Sequence, residues 1–472
     1  MNLFSKYNWV LILLACVGFF QCNSTIKKEK DTRPNVILIL TDDLGAGDLG
    51  CAGHPYAKTP NIDQLAAEGI RFTKAYMSAA WCAPSRYALM RGMHPAREFY
   101  ETYHLQTDQP SVTSLLQESG YATAHVGKWH LGSRNPSSPS PTEFGIDFQV
   151  TTSSSAQGWT NKVMKERYFR ATSADRFVDH AIDFVSKNKD KPFYLNLWVQ
   201  PTHSYIDPTP EQLARYADLK VDLEDFNNPQ QREFLEFVAK HGDIDKAIQA
   251  YCADLTALDG AVGCLLDTLK KLGIEDNTIV AFSSDNGPGP LTSQVINESV
   301  VKRYIERPTL LNNVGSAGDY GERKLSVKDG GTHVPFIVKW PKEIQGGLVD
   351  NKTILSGLDW VPTITKFAGI QQLPDVIFDG KDMSKAVLGE PVIRKEPIFW
   401  YESGKNSAIL DENWKGVMIG GQFALYDLNK DEGEVNDLST SSPEKAKEIK
   451  NKLQTWMDQM PVPKPQVKGR NH

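Results

Sequence analysis

The run Asn35-Val36-Ile37-Leu38-Ile39-Leu40 is apolar after its first residue, shows no polar alternation, and stops at Thr41-Asp42-Asp43. A strand written this way is buried on both faces, as in a parallel sheet covered by helices. Comparable runs at Ala122 to Val126, Phe193 to Val199, Thr278 to Phe282 and Val334 to Val338 predict further buried strands. Between them, Thr59-Pro60 opens a helix that stops near Gly69, Val112 to Gly120 forms a second, and Ile248, Cys252, Leu255, Val262, Leu265, Leu266 and Leu269 mark one face of a long third. Strand and helix in alternation predict an α/β fold, a large α/β/α sandwich with a mostly parallel central sheet. Past Leu388-Gly389-Glu390 the pattern shortens to Pro397 to Tyr401, Trp414 to Ile419 and Phe423 to Asp427, followed by a helix from Pro443 to Met457. That change predicts a large domain over 33–390 and a small C-terminal α+β subdomain with an antiparallel sheet over 391–472. Ser133 to Gly158, rich in Ser and Pro, and the polar stretch Ile206 to His241 are expected to wall a cleft.

A length of 472 residues with 40% hydrophobic and 23% charged residues is ordinary for a globular protein, and a net charge of -6 excludes the basic face of a nucleic-acid binder. Lys6 ahead of the apolar run Trp9 to Phe20 has the layout of a signal peptide over 1–22, too short to span a membrane comfortably. Cys22, followed by a polar and charged stretch, predicts a lipoprotein with membrane attachment through a lipid on Cys22, with Cys16 as the competing site and simple cleavage as the third outcome. The expected location is the periplasm or the outer membrane of a bacterium. Four cysteines remain, Cys51, Cys82, Cys252 and Cys264. They do not form a disulfide framework: Cys252 and Cys264 lie more than three turns apart on one helix, where core packing is their expected role.

Cys82 carries the chemistry. In Trp81-Cys82-Ala83-Pro84-Ser85-Arg86 the proline suits the first turn of a helix, which places Cys82 just outside a helix N-terminus, where unpaired N–H groups favour an anion. Arg86, one turn on, can point back at the same spot. The C-terminal ends of parallel strands are where open α/β sheets bind ligands. Asp42 and Asp43 sit at one such end and Ser284-Asp285-Asn286-Gly287 at another. Three carboxylates and an amide, completed by residue 82, suit a hard divalent cation, Ca2+ first and Mg2+ second. Singly, such residues more often serve as turns and caps. Lys128 and His130, two apart in Gly127-Lys128-Trp129-His130-Leu131-Gly132, face one side of an extended chain. His203 again follows a buried strand, and Lys324 precedes Asp329-Gly330-Gly331-Thr332-His333.

Cys82-x-Pro-Ser-Arg86 and Gly127 to Gly132 resemble the signature elements of the type I sulfatases, and the similarity runs in order through Gly47-Asp48-Leu49-Gly50-Cys51, Ala257-Leu258-Asp259 and Asp276 to Val280, continuing weakly at Leu425 to Leu428 and Glu434. The resemblance implies an alkaline-phosphatase-like fold. It implies sulfate-ester hydrolysis, with carbohydrate as the expected substrate, and a formylglycine produced from Cys82 by a formylglycine-generating enzyme as partner. One hydroxyl of the hydrated aldehyde attacks sulfur and the other expels sulfate. It further implies that the metal, Arg86, Lys128 and Lys324 neutralise the sulfate oxygens. Asp285 would partner the attacking hydroxyl, His203 protonate the leaving alcohol, and His130 take a proton in the second step. The chain departs from the family pattern at Thr202 for a frequent Pro, Asp329 for Glu, His333 for Arg and Arg91 for Thr. Tyr100, Tyr103 and His104 are candidate sugar contacts. Two other readings remain: a phosphatase or phosphodiesterase of the same superfamily, and a catalytically silent lipoprotein that binds sulfated glycan.

Overall fold

In the computed structural model, which describes residues 31–132, 138–152, 166–290, 313–371 and 376–461, the first apolar run becomes a central strand buried along its whole length. The signal segment with Cys16 and Cys22, and the two ends of the Ser133 to Gly158 stretch (133–137 and 153–158), lie outside the described residues; the middle of that stretch is not all loop, because Phe148–Thr152 pairs as a strand of the main sheet. Ten strands precede the C-terminal region among the described residues: β1 (Asn35–Thr41), β2 (Ile70–Phe72), β3 (Ala75–Tyr76), β4 (Ala122–Lys128), β5 (Phe148–Thr152), β6 (Phe193–Trp198), β7 (Thr278–Ser284), β8 (Phe336–Lys339), β9 (Leu348–Asp350) and β10 (Leu355–Ser356). Eight of them form one sheet in the order β5-β4-β6-β1-β7-β8-β2-β9, and β3 pairs with β10. From β5 to β7 every pairing is parallel; β8 runs antiparallel to both β7 and β2. The sheet is therefore mostly parallel, as the apolar runs predict.

Alternate residues of β1 serve opposite faces, which is why the run carries no polar position. Ile37 and Ile39 pack with Phe177, Val178 and Ala181 of the helix Ser173–Asn188 and with Ile248, Leu255 and Leu258 of the helix Ile244–Lys271. Val36, Leu38 and Leu40 pack with Tyr87, Leu89 and Met90 of the helix Cys82–Arg91 and with Val361 and Ile364 of the helix Trp360–Phe367.

The C-terminal region forms an antiparallel meander of β11 (Ile398–Ser403), β12 (Asn406–Asp411), β13 (Trp414–Ile419) and β14 (Gln422–Asp427), backed by Ile449 and Leu453 of the helix Pro443–Met457. The second strand is absent from the sequence expectation because Asn406 and Ser407 dilute its apolar segment. The described residues from Arg33 onward pack as one compact unit, this sheet included.

Two further expectations change. Cys252 is buried, but Cys264 is exposed on the outer face of the same helix, so it is not a core residue. Ile206 to His241 is largely helical, with Pro210–Ala214 and Pro229–His241, and it buries Phe226, Phe234, Leu235 and Val238 against the core. Asn228, whose side chain caps the second helix ahead of Pro229, is the local signal that marks it.

Candidate active site

Parallel pairing of β1 with β7 sets Thr41 opposite Ser284, so the residues that leave the two strands emerge side by side. Asp43 N–H donates to Asp285 Oδ1 at 3.2 Å and Leu44 N–H to Ser284 Oγ at 3.0 Å. On the other flank of β1, Asp42 N–H donates to Pro201 O at 3.1 Å, which joins the segment that leaves β6 and carries His203. Lys128 ends β4 after Gly127, where only glycine fits: its φ is +112°, and a Cβ there would stand 1.9 Å from the Trp198 carbonyl oxygen. Lys128 Nζ reaches Asp42 Oδ2 at 2.7 Å.

Cys82 enters from the opposite layer. Trp81 is extended and Cys82 is itself the first residue of the helix, one position further in than the proline suggests. The buried Cys82 Sγ lies 3.3 Å from Asp42 Oδ1, 3.8 Å from Asp43 Oδ1 and 3.3 Å from Lys324 Nζ. Lys324 Nζ also reaches Asp43 Oδ1 at 2.6 Å. Arg86, fully buried, donates to Asp285 Oδ2 through Nε at 2.9 Å and Nη2 at 2.6 Å, to the Lys128 carbonyl at 3.0 Å, and lies over the Trp198 ring. Both oxygens of Asp285 are thus engaged, and the carboxylates in contact with Cys82 are Asp42, the nearer, and Asp43.

The two histidines approach differently. His203 Nε2 is 3.8 Å from Asp43 Oδ2, while its Nδ1 faces the Ser204 carbonyl at 2.7 Å. His130 adopts a left-handed backbone, φ +56°, so it does not share a strand face with Lys128 as an extended chain would require. Its Nδ1 is buried with no partner among the described residues.

Electrostatics follow from this crowding. Burial raises Asp42 and Asp43, but the ammonium groups beside them win: Lys128 and Lys324 respectively hold the two carboxyls below the usual range. Burial lifts Asp285 to about 6 against the pull of Arg86. Burial works to lower Lys128 and Lys324, yet Asp42 and Asp43 keep both raised. The Cys82 thiol is pushed up by burial and then by Asp285, and burial holds His130 and His203 low. Three carboxylates against Arg86, Lys128 and Lys324 leave the cluster neutral. A divalent cation would make it positive, complementary to an anionic ester.

The donor set fits such an ion. Asp42, Asp43, Cys82 and His203 offer atoms all within 4.8 Å of one another. Asn286 donates through its Nδ2–H to Asp43 Oδ1 at 2.8 Å, and its Oδ1 is buried without a partner among the described residues. The oxygens of Asp42, Asp43, Asp285 and Asn286 suit a hard cation better than the imidazole of His203 does.

Several residues support the site without a local signal of their own. Asp48 accepts N–H bonds from Gly45 and Ser316, both at 2.6 Å, and the Tyr251 hydroxyl at 2.6 Å. Arg170 donates to the carbonyls of Gln200 and His203. Of the departures from the family pattern, Asp329 pairs with Lys415, His333 stacks on Tyr76, and Arg91 donates to the backbone carbonyls of Gln106, Gln109 and Pro110. Tyr100 is buried against Trp81 and is no sugar contact; His104 turns inward to the Thr102 carbonyl and Gln106, and Tyr103 is half-buried.

A family model described as Sulfatase matches residues 34–370, and one described as N-sulphoglucosamine sulphohydrolase, C-terminal, matches residues 318–462. The chain is 26% identical to the N-acetylgalactosamine-6-O-sulfatase of Bacteroides thetaiotaomicron, over 92% of this chain and 96% of that protein. It is 31% identical to the arylsulfatase A of Homo sapiens, over 78% of this chain and 71% of that one. Among solved structures, Ps i-CgsB in complex with k-i-k-neocarrahexaose aligns with a TM-score of 0.73 at 25% identity, covering 91% of this chain and 94% of the other.

Proposed function

The chain belongs to the sulfatase family and is a sulfuric ester hydrolase, and from that premise we propose that it removes sulfate from a saccharide, using a formylglycine made from Cys82 beside a bound calcium ion. The observation that carries the reading is the place of Cys82. Its side chain stands at a helix N-terminus, between Asp42 and Lys324, with Lys128 bound to the far oxygen of Asp42. The saccharide is supported by the named substrates of the relatives; calcium is supported by the all-oxygen donors.

The aldehyde, when hydrated, supplies hydroxyls for attack at sulfur and for release of sulfate, and the calcium ion supplies positive charge against the sulfate oxygens. The chain's own groups do the rest. Lys324 and Lys128 hold two of the sulfate oxygens and offset the charge that grows during in-line transfer. Arg86 holds Asp285 in orientation. His203, whose side chain is partly exposed, gives a proton to the departing sugar oxygen, because an alkoxide is a poor leaving group; burial works against its protonated form, and Asp42 and Asp43 beside it work in favour. His130 presents its buried Nδ1 as the group that accepts a proton when sulfate is released. Export, with lipid attachment at Cys22, is proposed from the apolar run Trp9 to Phe20 and the cysteine that closes it.

The test is peptide mass spectrometry of the Cys82 fragment from a host that contains the maturing enzyme, paired with sulfate release from a panel of sulfated saccharides. Formylglycine at position 82 together with released sulfate is expected. An unmodified thiol in such a host, with saccharide bound but no sulfate released, overturns the proposal in favour of a glycan-binding role. Turnover of phosphate esters in preference to sulfate esters overturns it in favour of the phosphatase reading.

A further inference from the structure

Asp43 has φ +67°, a left-handed backbone that residues with a side chain adopt seldom and that persists where the surroundings hold it. The surroundings here are specific. Asp43 N–H donates to Asp285 Oδ1 on one side of the turn. On the other side a single residue makes two bonds: Thr202 N–H donates to the Asp42 carbonyl at 2.9 Å, and Thr202 Oγ1–H donates to the Asp43 carbonyl at 3.1 Å. Thr202 is fully buried, and behind its hydroxyl stands Tyr251 of the long helix Ile244–Lys271, 3.2 Å from Thr202 Oγ1 and 2.6 Å from Asp48 Oδ2. Asp48 holds the far end of the same loop through Gly45 N–H at 2.6 Å.

Position 202 is where the chain carries threonine in place of the proline frequent in the family pattern. A proline there has neither the N–H nor the hydroxyl, so it makes neither bond. We propose that Thr202 is a positioning residue: by clamping the carbonyls of Asp42 and Asp43 it fixes the left-handed turn that aims both carboxylates into the site, and so sets the affinity of the acidic cluster for a divalent cation. The inference rests on the reading of Asp43 as a cation ligand. Thr202 does not touch the ion; it acts through the backbone of the residues that would hold it.

The experiment is calcium titration by calorimetry on the purified full chain after chelator treatment, with the thermal midpoint recorded in chelator and in saturating calcium. Loss of one neutral hydrogen bond is worth about 0.5–1.5 kcal/mol, so Thr202→Val should weaken calcium binding about 2- to 12-fold. Thr202→Pro, which loses both bonds, should weaken it further, and Thr202→Ser, which keeps both, should stay within about twofold of the parent by the same measure. The rise in thermal midpoint on adding calcium shrinks in the same order. A purely structural role lowers the midpoint in chelator and leaves both the affinity and the calcium-dependent rise unchanged; that result overturns the inference. Thr202→Ala gives the same reading where the valine variant fails to fold. A parent protein that binds no divalent cation overturns the cation reading itself, which distinguishes that failure from failure of the clamp.

Discussion

Lys415, on the C-terminal sheet, places its ammonium 2.7 Å from Asp329 Oδ1 where neither side chain meets solvent. The same ammonium lies 3.7 Å from the centre of the Trp400 ring, and Asp329 Oδ2 accepts the Tyr76 hydroxyl at 3.0 Å. Asp329 follows Lys324 by five residues, so the meander is tied by a buried ion pair to the segment that delivers an active-site lysine. Lys415→Met leaves Asp329 charged and unpaired; denaturant unfolding should show a loss of about 3–5 kcal/mol. Lys415→Met combined with Asp329→Asn should recover much of it, because no lone charge then remains buried. A double variant no more stable than the single one would show that the pair is not what joins the two parts.

Two buried groups should tilt stability against pH in opposite directions over overlapping windows. Burial, reinforced by Asp329, lifts Glu434 to about 8 despite Lys415 and Lys328 nearby, so the folded protein keeps a proton that the unfolded chain releases near 4.5. That contribution is fully present below about 4.5 and is lost as pH rises through about 8. His94 is the converse. Burial holds it down at about 4, with Nδ1 accepting the Ala96 N–H and Nε2 facing the Phe399 carbonyl, so the unfolded chain takes up a proton below 6.5 first and stability falls from there toward about 4. In urea midpoints measured across pH, Glu434→Gln should remove the fall between about 4.5 and 8, and His94→Gln the rise between about 4 and 6.5.

Arg170 supports His203 from behind. Its guanidinium donates to the Gln200 carbonyl at 2.6 Å and to the carbonyl of His203 itself. Arg170→Ala should reduce turnover about 10²-fold, the scale of a small misplacement, with KM moved far less. Arg170→Lys, able to reach one carbonyl at a time, should fall between. Parallel loss of kcat and of thermal stability in both variants would assign Arg170 to the core alone.

The left-handed backbone at His130 makes the choice of substitution informative. His130→Gly removes the imidazole and suits φ +56°, whereas His130→Ala removes it and keeps the strain. The glycine variant should be the more stable by about 1 kcal/mol, reversing the usual order, while both lose turnover to a similar degree. Differential scanning calorimetry of the two variants checks the order.

Much of this was legible along the chain. Short apolar runs without polar alternation, rich in β-branched and aromatic residues and closed by turn signals, read as strands buried on both faces, so β1, β6 and β7 and the layered α/β fold followed from the sequence. The acidic residues at the strand ends and the cysteine ahead of Pro84 followed with them, because each is a local feature: burial period, turn chemistry and helix starts are written within about ten residues. What tertiary structure alone decided is which charges meet. Nothing in the spacing of Lys128, Asp42 and Cys82 says that the carboxylate bridges the lysine and the sulfur while Asp285 is taken up by Arg86; parallel register decides that. Nor does the pattern show that His130 turns left-handed, that β8 reverses direction, or that Thr202 clamps Asp43, since each depends on close approach between segments distant in sequence. Local sequence encodes how deeply a residue is buried, and only the packed chain determines what it is buried against.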